Sequence, residues 1–496
     1  MKAKKALSVL LILCLLFALA PAAFAADDFD TPVSAVDQDK EVGNVTVDDD
    51  WYAIWVYASS EDASMTVQGN IENIYDGDVE AAEVRAEDGL TATLTVNGNV
   101  NAAGVDEVAA VIANPESGGT SVIEVNGNVT AISEDDDAVG VYCKNEGVNN
   151  ITVNGSVTAT AGDDAYGVYS DGDSVDTVTI NGDVSATGPW AYGIGACVGA
   201  GDNAYTVTGN VTASAEKYSD GAWFDIYNNC SATLTVGGDV KGDDTGLYIY
   251  CEGGSSFQAT VLGEVSGADA IWVEDGKADN IDLTLWKASV NPETGTVVAG
   301  GAGVDVAAIE QAIQYIILVD PDSADAATLG GTTKSGDYNV AREGDAVYVT
   351  LGAIKDGYEL RGVYGDKGET VLLQQDANGN YTLLVPKGGG VYFKVLISPL
   401  AFIREEVGSV SFTVDGESFT IRFCKNGTFD LLDSSGKIVE RGYFRMVNGV
   451  LTVFNRRNMA MPVNENGTFT YIFASDITRT VEITLPQATL NALTGK

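Results

Sequence analysis

A five-residue phrase returns eight times along the first half of this chain: a β-branched residue, one variable position, Gly, a polar residue, then Val or Ile. It reads VQGNI at Val67–Ile71, VNGNV at Val96–Val100 and at Val125–Val129, VNGSV at Val153–Val157 and INGDV at Ile180–Val184. It continues as VTGNV at Val207–Val211, VGGDV at Val236–Val240 and VLGEV at Val261–Val265. The phrase glycines, Gly69, Gly98, Gly127, Gly155, Gly182, Gly209, Gly238 and Gly263, follow one another at 29, 29, 28, 27, 27, 29 and 25 residues. Such a period marks units too small to bury a core alone, which must stack on their neighbours.

Two positions before each Gly stands Val or Ile, and two after it stands Ile71 or Val. Three before it stand Thr66, Thr95, Glu124, Thr152, Thr179, Thr206, Thr235 and Thr260. An apolar column next to a Thr column is the period of two of a strand with one face inside. The Asn-Gly pairs suit a bend that needs positive φ. Most repeats carry another strand: VGVYC (Val139–Cys143), YGVYS (Tyr166–Ser170), YGIGA (Tyr192–Ala196), FDIYN (Phe224–Asn228), LYIYC (Leu247–Cys251) and IWVED (Ile271–Asp275). IWVYA at Ile54–Ala58 fits the same template. Its first, third and often fifth residues are expected to face inward, which makes Cys143 and Cys251 core thiols.

Short strands separated by Gly- and Asp-containing bends predict an all-β fold whose first part is a parallel β-helix (β-solenoid) of about eight or nine coils, roughly 40 Å long at ~4.8 Å per coil. The repeat style resembles the right-handed parallel β-helix of pectate-lyase-like proteins and bacterial surface adhesins, over about Gly43–Ala299. The resemblance implies the handedness and the architecture and leaves activity open. A solenoid end needs a cap. Asp30–Asp50 is expected to begin the rod and cover one end. Val306, Ile309, Ile313 and Ile316 have helix-like spacing near the other, where IDLTLWKASV (Ile281–Val290) has lost the Gly phrase. The domain reading is 1–25 signal peptide, 27–300 β-helix, 301–331 cap or linker, 332–398 and 399–496 two small antiparallel β domains.

Met1–Ala25 reads as a secretory signal: Lys2, Lys4 and Lys5, the apolar run Leu7–Leu19, and Ala23-Phe24-Ala25 as a small-x-small cleavage site. Residues 27–300 hold 7 Lys+Arg against 48 Asp+Glu, net −41, while 301–496 hold 17 against 23. A field of that sign repels nucleic acid and anionic lipid and favours cations. The chain has no His, which removes His-dependent triads and His-ligated metal centres. Beyond Cys14 there are five Cys and no CxxC, so free buried thiols are expected rather than a disulfide framework.

In the second half, Glu343-Gly344-Asp345, the turn Asp356-Gly357-Tyr358-Glu359-Leu360 and Tyr381–Pro386 resemble the divergent internalin-type B-repeat modules of bacterial surface proteins. That resemblance implies a spacer or interaction unit in a surface context. Residues 400–496 alternate apolar and polar between turns at Asp415-Gly416, Asn426-Gly427, Ser435-Gly436, Asn448-Gly449 and Asn466-Gly467, which fits an antiparallel sandwich or barrel. LPQAT at Leu485–Thr489 lacks the Thr-Gly, apolar span and basic tail of a sorting signal.

Three functional readings follow. Outward aromatics, Tyr142, Tyr169, Tyr227, Tyr248, Tyr250 and Trp272 with Tyr57 and Trp55, form a stripe beside a strip floored by Gly140, Gly167 and Gly193. It either stacks on itself or presents ring faces and carboxylates to sugars. Asp136, Asp137, Asp163 and Asp164 crowd equivalent bends of adjacent turns, where a solvated acidic edge with no cofactor is the expectation and a shared Ca²⁺ the alternative. The bases Lys40, Arg85, Lys144, Lys217, Lys241, Lys277 and Lys287 lie in scattered turns, which weakens a lyase reading. The expectation is a secreted or cell-surface, non-enzymatic, adhesin-like binding or display protein, whose partners are glycans or a host or cell-wall surface. A β-helix polysaccharide lyase or hydrolase, and a purely structural stalk, are the alternatives.

Overall fold

Alternating burial makes each repeat a wall of the molecule. In a computed structural model, which describes residues 27–353, 358–365, 371–399, 406–447 and 450–494, one turn consists of Ala138–Lys144, Val148–Val153 and Val157–Thr160. Equivalent strands of successive turns pair in parallel and build three sheets. Val96 pairs with Val125, Val125 with Val153 and Val153 with Ile180. All four are fully buried. The Thr residues beside them stay partly exposed on the other side of the same strands. The signal-like segment Met1–Ala25 and the turns at Asp356-Gly357 and Asn448-Gly449 lie outside the described residues.

The solenoid has about ten turns, one or two more than the expected eight or nine. The additional turns sit where the phrase is eroded. At the start, Val42-Gly43-Asn44-Val45 is the phrase with one residue missing, yet Val42 pairs with Val67 and Val45 with Ile71. At the other end, Ile281–Ala288 continues the stack without the Gly.

The phrase glycines do a different job from the one the Asn-Gly pairs suggested. None of them has positive φ. They lie where consecutive turns approach most closely: a Cβ at Gly98, Gly127 or Gly155 would come 2.5 Å from the carbonyl oxygen of the phrase glycine one turn below. The residue after each Gly ties that approach together. Asn70 Oδ1 accepts from the Asn99 N–H (2.8 Å), Asn99 Oδ1 from Asn128 N–H (2.8 Å) and Asn128 Oδ1 from Ser156 N–H (2.9 Å). The relay continues through Asp183, Asn210 and Asp239 to the Glu264 N–H. A parallel ladder of side-chain amides links Asn97, Asn126, Asn154 and Asn181 at 2.7–3.0 Å.

A second small-residue column makes room for the phrase valines. Gly140, Gly167 and Gly193 face the interior, and a Cβ on Gly193 would meet Val211 Cγ1 at 2.6 Å and on Gly246 would meet Val265 Cγ1 at 2.8 Å. In earlier turns Ala53, Ala81 and Ala110 hold this place, fully buried. The expected glycine-floored strip on the outer surface is therefore absent, because these glycines are spent on packing inside.

The late end closes with a change of pairing. Asp305 caps the helix Val306–Ala312 by accepting from the Ala308 N–H (3.1 Å), and Ile309 is buried beneath it. Gln314–Ile316 then joins the stack in parallel and takes Tyr338–Ala341 on its far side antiparallel, which ends the winding. Gly390 N–H donates to Trp286 O and Ala288 N–H to Gly388 O, both at 2.8 Å. At the early end Phe29 bridges to Val45.

The chain separates into two compact units, one running to Gly352 with Val363–Lys394, the other comprising Ala353–Gly362 and Val395–Lys496. Within the second, six antiparallel strands run in sequence order from Glu406–Val414 to Ala460–Pro462, beside the pair Thr468–Ile472 and Thr480–Thr484. Here Gly does supply positive φ, as at Asp415-Gly416 in its first hairpin. Phe423, Phe429, Leu431, Val453 and Tyr471 form a dry core. Asp430, fully buried, is held there by Arg422 (2.9 Å) and Arg441 (3.4 Å).

Gly127→Ala should lower unfolding stability by about 2 kcal/mol or more, because the clash is with backbone that cannot turn aside. Gly253→Ala, with open space around it, should change stability by less than about 0.5 kcal/mol. Paired denaturant melts of the two variants check this.

Candidate binding face

The aromatic residues lie on the outside of the sheet that contains Ala138–Lys144, and the register decides which of them meet. One outward column runs Trp55, Glu83, Ile112, Tyr142, Tyr169, Gly195, Trp223, Tyr248, Trp272. Tyr142, Tyr169, Tyr248 and Trp272 are thus in line as expected. Tyr250 is not: it pairs with Asp225 in the next outward column, where Tyr57 also stands, paired with Arg85. Tyr227 follows the end of Val211–Ile226 and meets Tyr250 at 5.3 Å between ring centroids. The template had aligned these segments two or four residues out of register. A shift by an even number preserves the inside–outside alternation, so polarity alone does not detect it.

The bend at Gly140 and its equivalents also reverses one expectation. Gly140 and Val141 both point inward, so the residue before them turns out. Val139, Tyr166 and Tyr192 are therefore outer residues, although the template placed them inside. They form the centre of the face. Tyr166 stacks on Tyr169 (4.5 Å) and on Tyr192 (4.9 Å), Tyr142 leans on Tyr169 (5.2 Å), and Tyr192 reaches Trp223 (5.8 Å). These rings roof Ala109, Ile112 and Val139, each no more than 3% exposed. Lys144 Nζ sits 4.4 Å from the Tyr142 ring centre and 3.5 Å from Glu80. From Tyr142 to Trp223 the face is consequently a self-packed stack. Among the described residues no ring pairs with Tyr248 or Trp272.

Carboxylates flank that open end. Trp272 Nε1 donates to Glu274 (3.0 Å), and Tyr227 OH donates to Asp225 Oδ2 (3.1 Å). Asp225 Oδ1 has no hydrogen-bond partner, and burial raises the pKa of its carboxyl. Asp220, in line with Tyr192 and Thr245, is 1% exposed. Burial pushes its carboxyl up to about 7, against the hydrogen bonds from Tyr218 and Thr245. Burial also raises the Tyr192 hydroxyl to about 12, so it remains a donor. Sequence reasoning missed Asp220 and Trp223. The signal for Trp223 was its register, and for Asp220 its place in the column that runs through Val139, Tyr166 and Tyr192.

Of the four expected cation ligands, Asp137, Asp163 and Asp164 come together, with one oxygen of each within 4.8 Å of the others. Asp136 does not join them through its side chain. Its backbone carbonyl instead accepts from Gly162 N–H (3.0 Å) and Asp163 N–H (3.2 Å). Asp137 Oδ1 accepts from the Asp164 N–H (3.0 Å), and Lys217 Nζ stands 3.8 Å from Asp163. Burial and the neighbouring carboxylates raise the Asp137 and Asp164 carboxyls. These three can supply oxygens to one Ca²⁺, with water completing the six to eight that it takes. Cys143, Cys197, Cys230 and Cys251 are free, with Cys143 and Cys251 in the core.

No family model, no curated protein and no solved structure matches this chain.

Asp220 provides a titration test. Its folded pKa lies above its unfolded one, so its contribution to stability is full below about pH 4 and is lost as pH rises through about 7. Asp220→Asn should therefore gain stability over the natural chain at pH 8, by about 2–4 kcal/mol relative to the same comparison at pH 4. Denaturant melts at the two pH values measure it. For the carboxylate trio, Ca²⁺ should raise the melting temperature, and Asp164→Asn should remove that rise.

Proposed function

We propose that this chain is a secreted or cell-surface, non-enzymatic binding and display protein of the adhesin kind, whose solenoid engages glycans at the Tyr248–Trp272 end of its aromatic face. The observation that carries the reading is the contrast within one column. The rings from Tyr142 to Trp223 are spent on each other, whereas Tyr248 and Trp272 are free of ring partners and stand beside the carboxylates of Asp225 and Glu274. A sugar ring offers an apolar face to an aromatic and hydroxyls to a carboxylate, which is the complement of this surface. The pectate-lyase-like and adhesin likeness of the repeat, the internalin-type likeness of 332–398 and the signal-like start all fit an exported surface protein.

The non-enzymatic reading is supported by the partners that four of the coil's seven bases have. Arg85 pairs with Glu116 and lies over Tyr57, and Lys144 pairs with Glu80. Lys287 pairs with Glu264 (2.7 Å), and Lys217 lies between Asp163 and Trp190. A lyase needs a base held free beside its substrate's acidic proton.

Glycan arrays probed with the full chain should give defined positives. Tyr248→Ala with Trp272→Ala should weaken them by tenfold or more, while Tyr142→Ala with Tyr169→Ala should leave them largely intact. A blank array would favour a structural stalk, and unsaturated products from acidic polysaccharide would favour the lyase.

A further inference from the structure

A second outer surface of the solenoid, on the sheet that contains Val129–Ser133, leaves large apolar side chains in water. Ile74 ends the strand Ile71–Ile74 and is 52% exposed, and Ile132, two turns on, is 42% exposed. Ala103 pairs with both and lies between them. A small residue between two large ones leaves a hollow, and a groove of about 380 Å³ opens there. The apolar column is bounded at each end. Val47 pairs with Asn73, which puts Asp48 next in line ahead of Ile74, and Ile132 pairs onward with Thr160. A single exposed isoleucine is ordinary, whereas two in one column around a hollow mark a contact surface.

The rim decides what can lie in this groove. Asp48, Asp76 and Glu134 line it, and all three are exposed. Among the described residues none of the three is in an ion pair. Residues 41–143 hold 21 Asp+Glu and one base, Arg85, which is committed to Glu116. An occupant must therefore bring apolar side chains for the floor and positive charge for the rim. The spacing fits a helix. Two turns of the solenoid cover about 10 Å at ~4.8 Å per strand. Seven residues of an α-helix cover about 10.5 Å. Apolar residues i and i+7 of a helix laid along the rod stand level with Ile74 and Ile132, while the residue at i+3 or i+4 enters the hollow over Ala103.

We infer that this groove docks a basic amphipathic helix of a partner protein, with its apolar stripe on Ile74, Ala103 and Ile132 and its Lys or Arg side chains on Asp48, Asp76 and Glu134. The groove belongs to a different sheet from the aromatic face and does not rest on the glycan reading.

A labelled peptide of about 18 residues, with Leu at i, i+3, i+4 and i+7 and Lys elsewhere, should bind the full chain saturably by fluorescence anisotropy and gain helicity by circular dichroism. The same residues scrambled, so that the Leu side chains no longer share a face, should bind at least tenfold more weakly. The same stripe with Glu in place of Lys should not bind. Ala103→Arg fills the hollow and adds a like charge to the partner's, and Ile74→Ser with Ile132→Ser removes the apolar walls. Each should weaken the first peptide by tenfold or more with the thermal transition retained, and either one decides the matter if the other misfolds. No saturable binding, no gain in helicity, equal binding of the scrambled or Glu peptide, or binding unchanged in a folded variant would overturn the proposal.

Discussion

Everything in the solenoid depends on how closely one turn can lie on the next. The contact between phrase glycines leaves no room for a Cβ, and the side chain that follows each of them reaches the next turn's amide. Those two features fix the rise and the register together. Once register is fixed, identical residues stand in columns, and a column has properties that its members lack singly. The buried valines become a continuous core, with each side chain giving ~1.5–3 kcal/mol on burial. The outer aromatics become a face.

That face is divided by its own packing. Where bulky rings occupy two adjacent outward columns, as with Tyr166 beside Tyr169, they satisfy each other and roof a small apolar patch. Where the neighbouring column instead holds Asp220, Thr245 and Asp269, the rings of Tyr248 and Trp272 have no such companion. A single chemistry repeated along a column therefore yields a structural half and an available half. Burial of Asp220 beside this boundary places a carboxyl that titrates near neutrality at the edge of the available half.

The architecture was legible because a period-two pattern repeated eight times leaves one way to bury the valines. The Val96–Val125–Val153 stack was readable directly, as were the core positions of Cys143 and Cys251. Three things were not. Gly in an Asn-Gly pair reads as a turn former, and only the distance to the turn below reveals its use in close approach. The inward bend at Gly140 puts two neighbouring residues on one side, which a strict alternation rule misassigns, so Tyr166 and Tyr192 were sought in the core. The even-numbered offsets of the IWVYA and FDIYN segments preserved every polarity, and Tyr227 and Tyr250 were placed in the wrong column. Of the acidic group, adjacency in sequence suggested four ligands, but Asp136 engages its neighbours through its backbone. In the C-terminal unit the hairpins were visible from their turns. The burial of the Glu440 carboxylate depends on a contact across 34 residues, with the Ala474 N–H, and left no local trace.

The relay of side chains from Asn70 to Asp239 has one further property. Every link joins a turn to its successor through the same pair of atoms, a side-chain oxygen below and a backbone N–H above. No link spans two turns. Excising or duplicating one whole winding would regenerate an equivalent junction at the scar, so the solenoid can change length in single quanta while its two ends stay as they are. A gain or loss of a few residues has no such escape, because it leaves an acceptor facing the wrong amide.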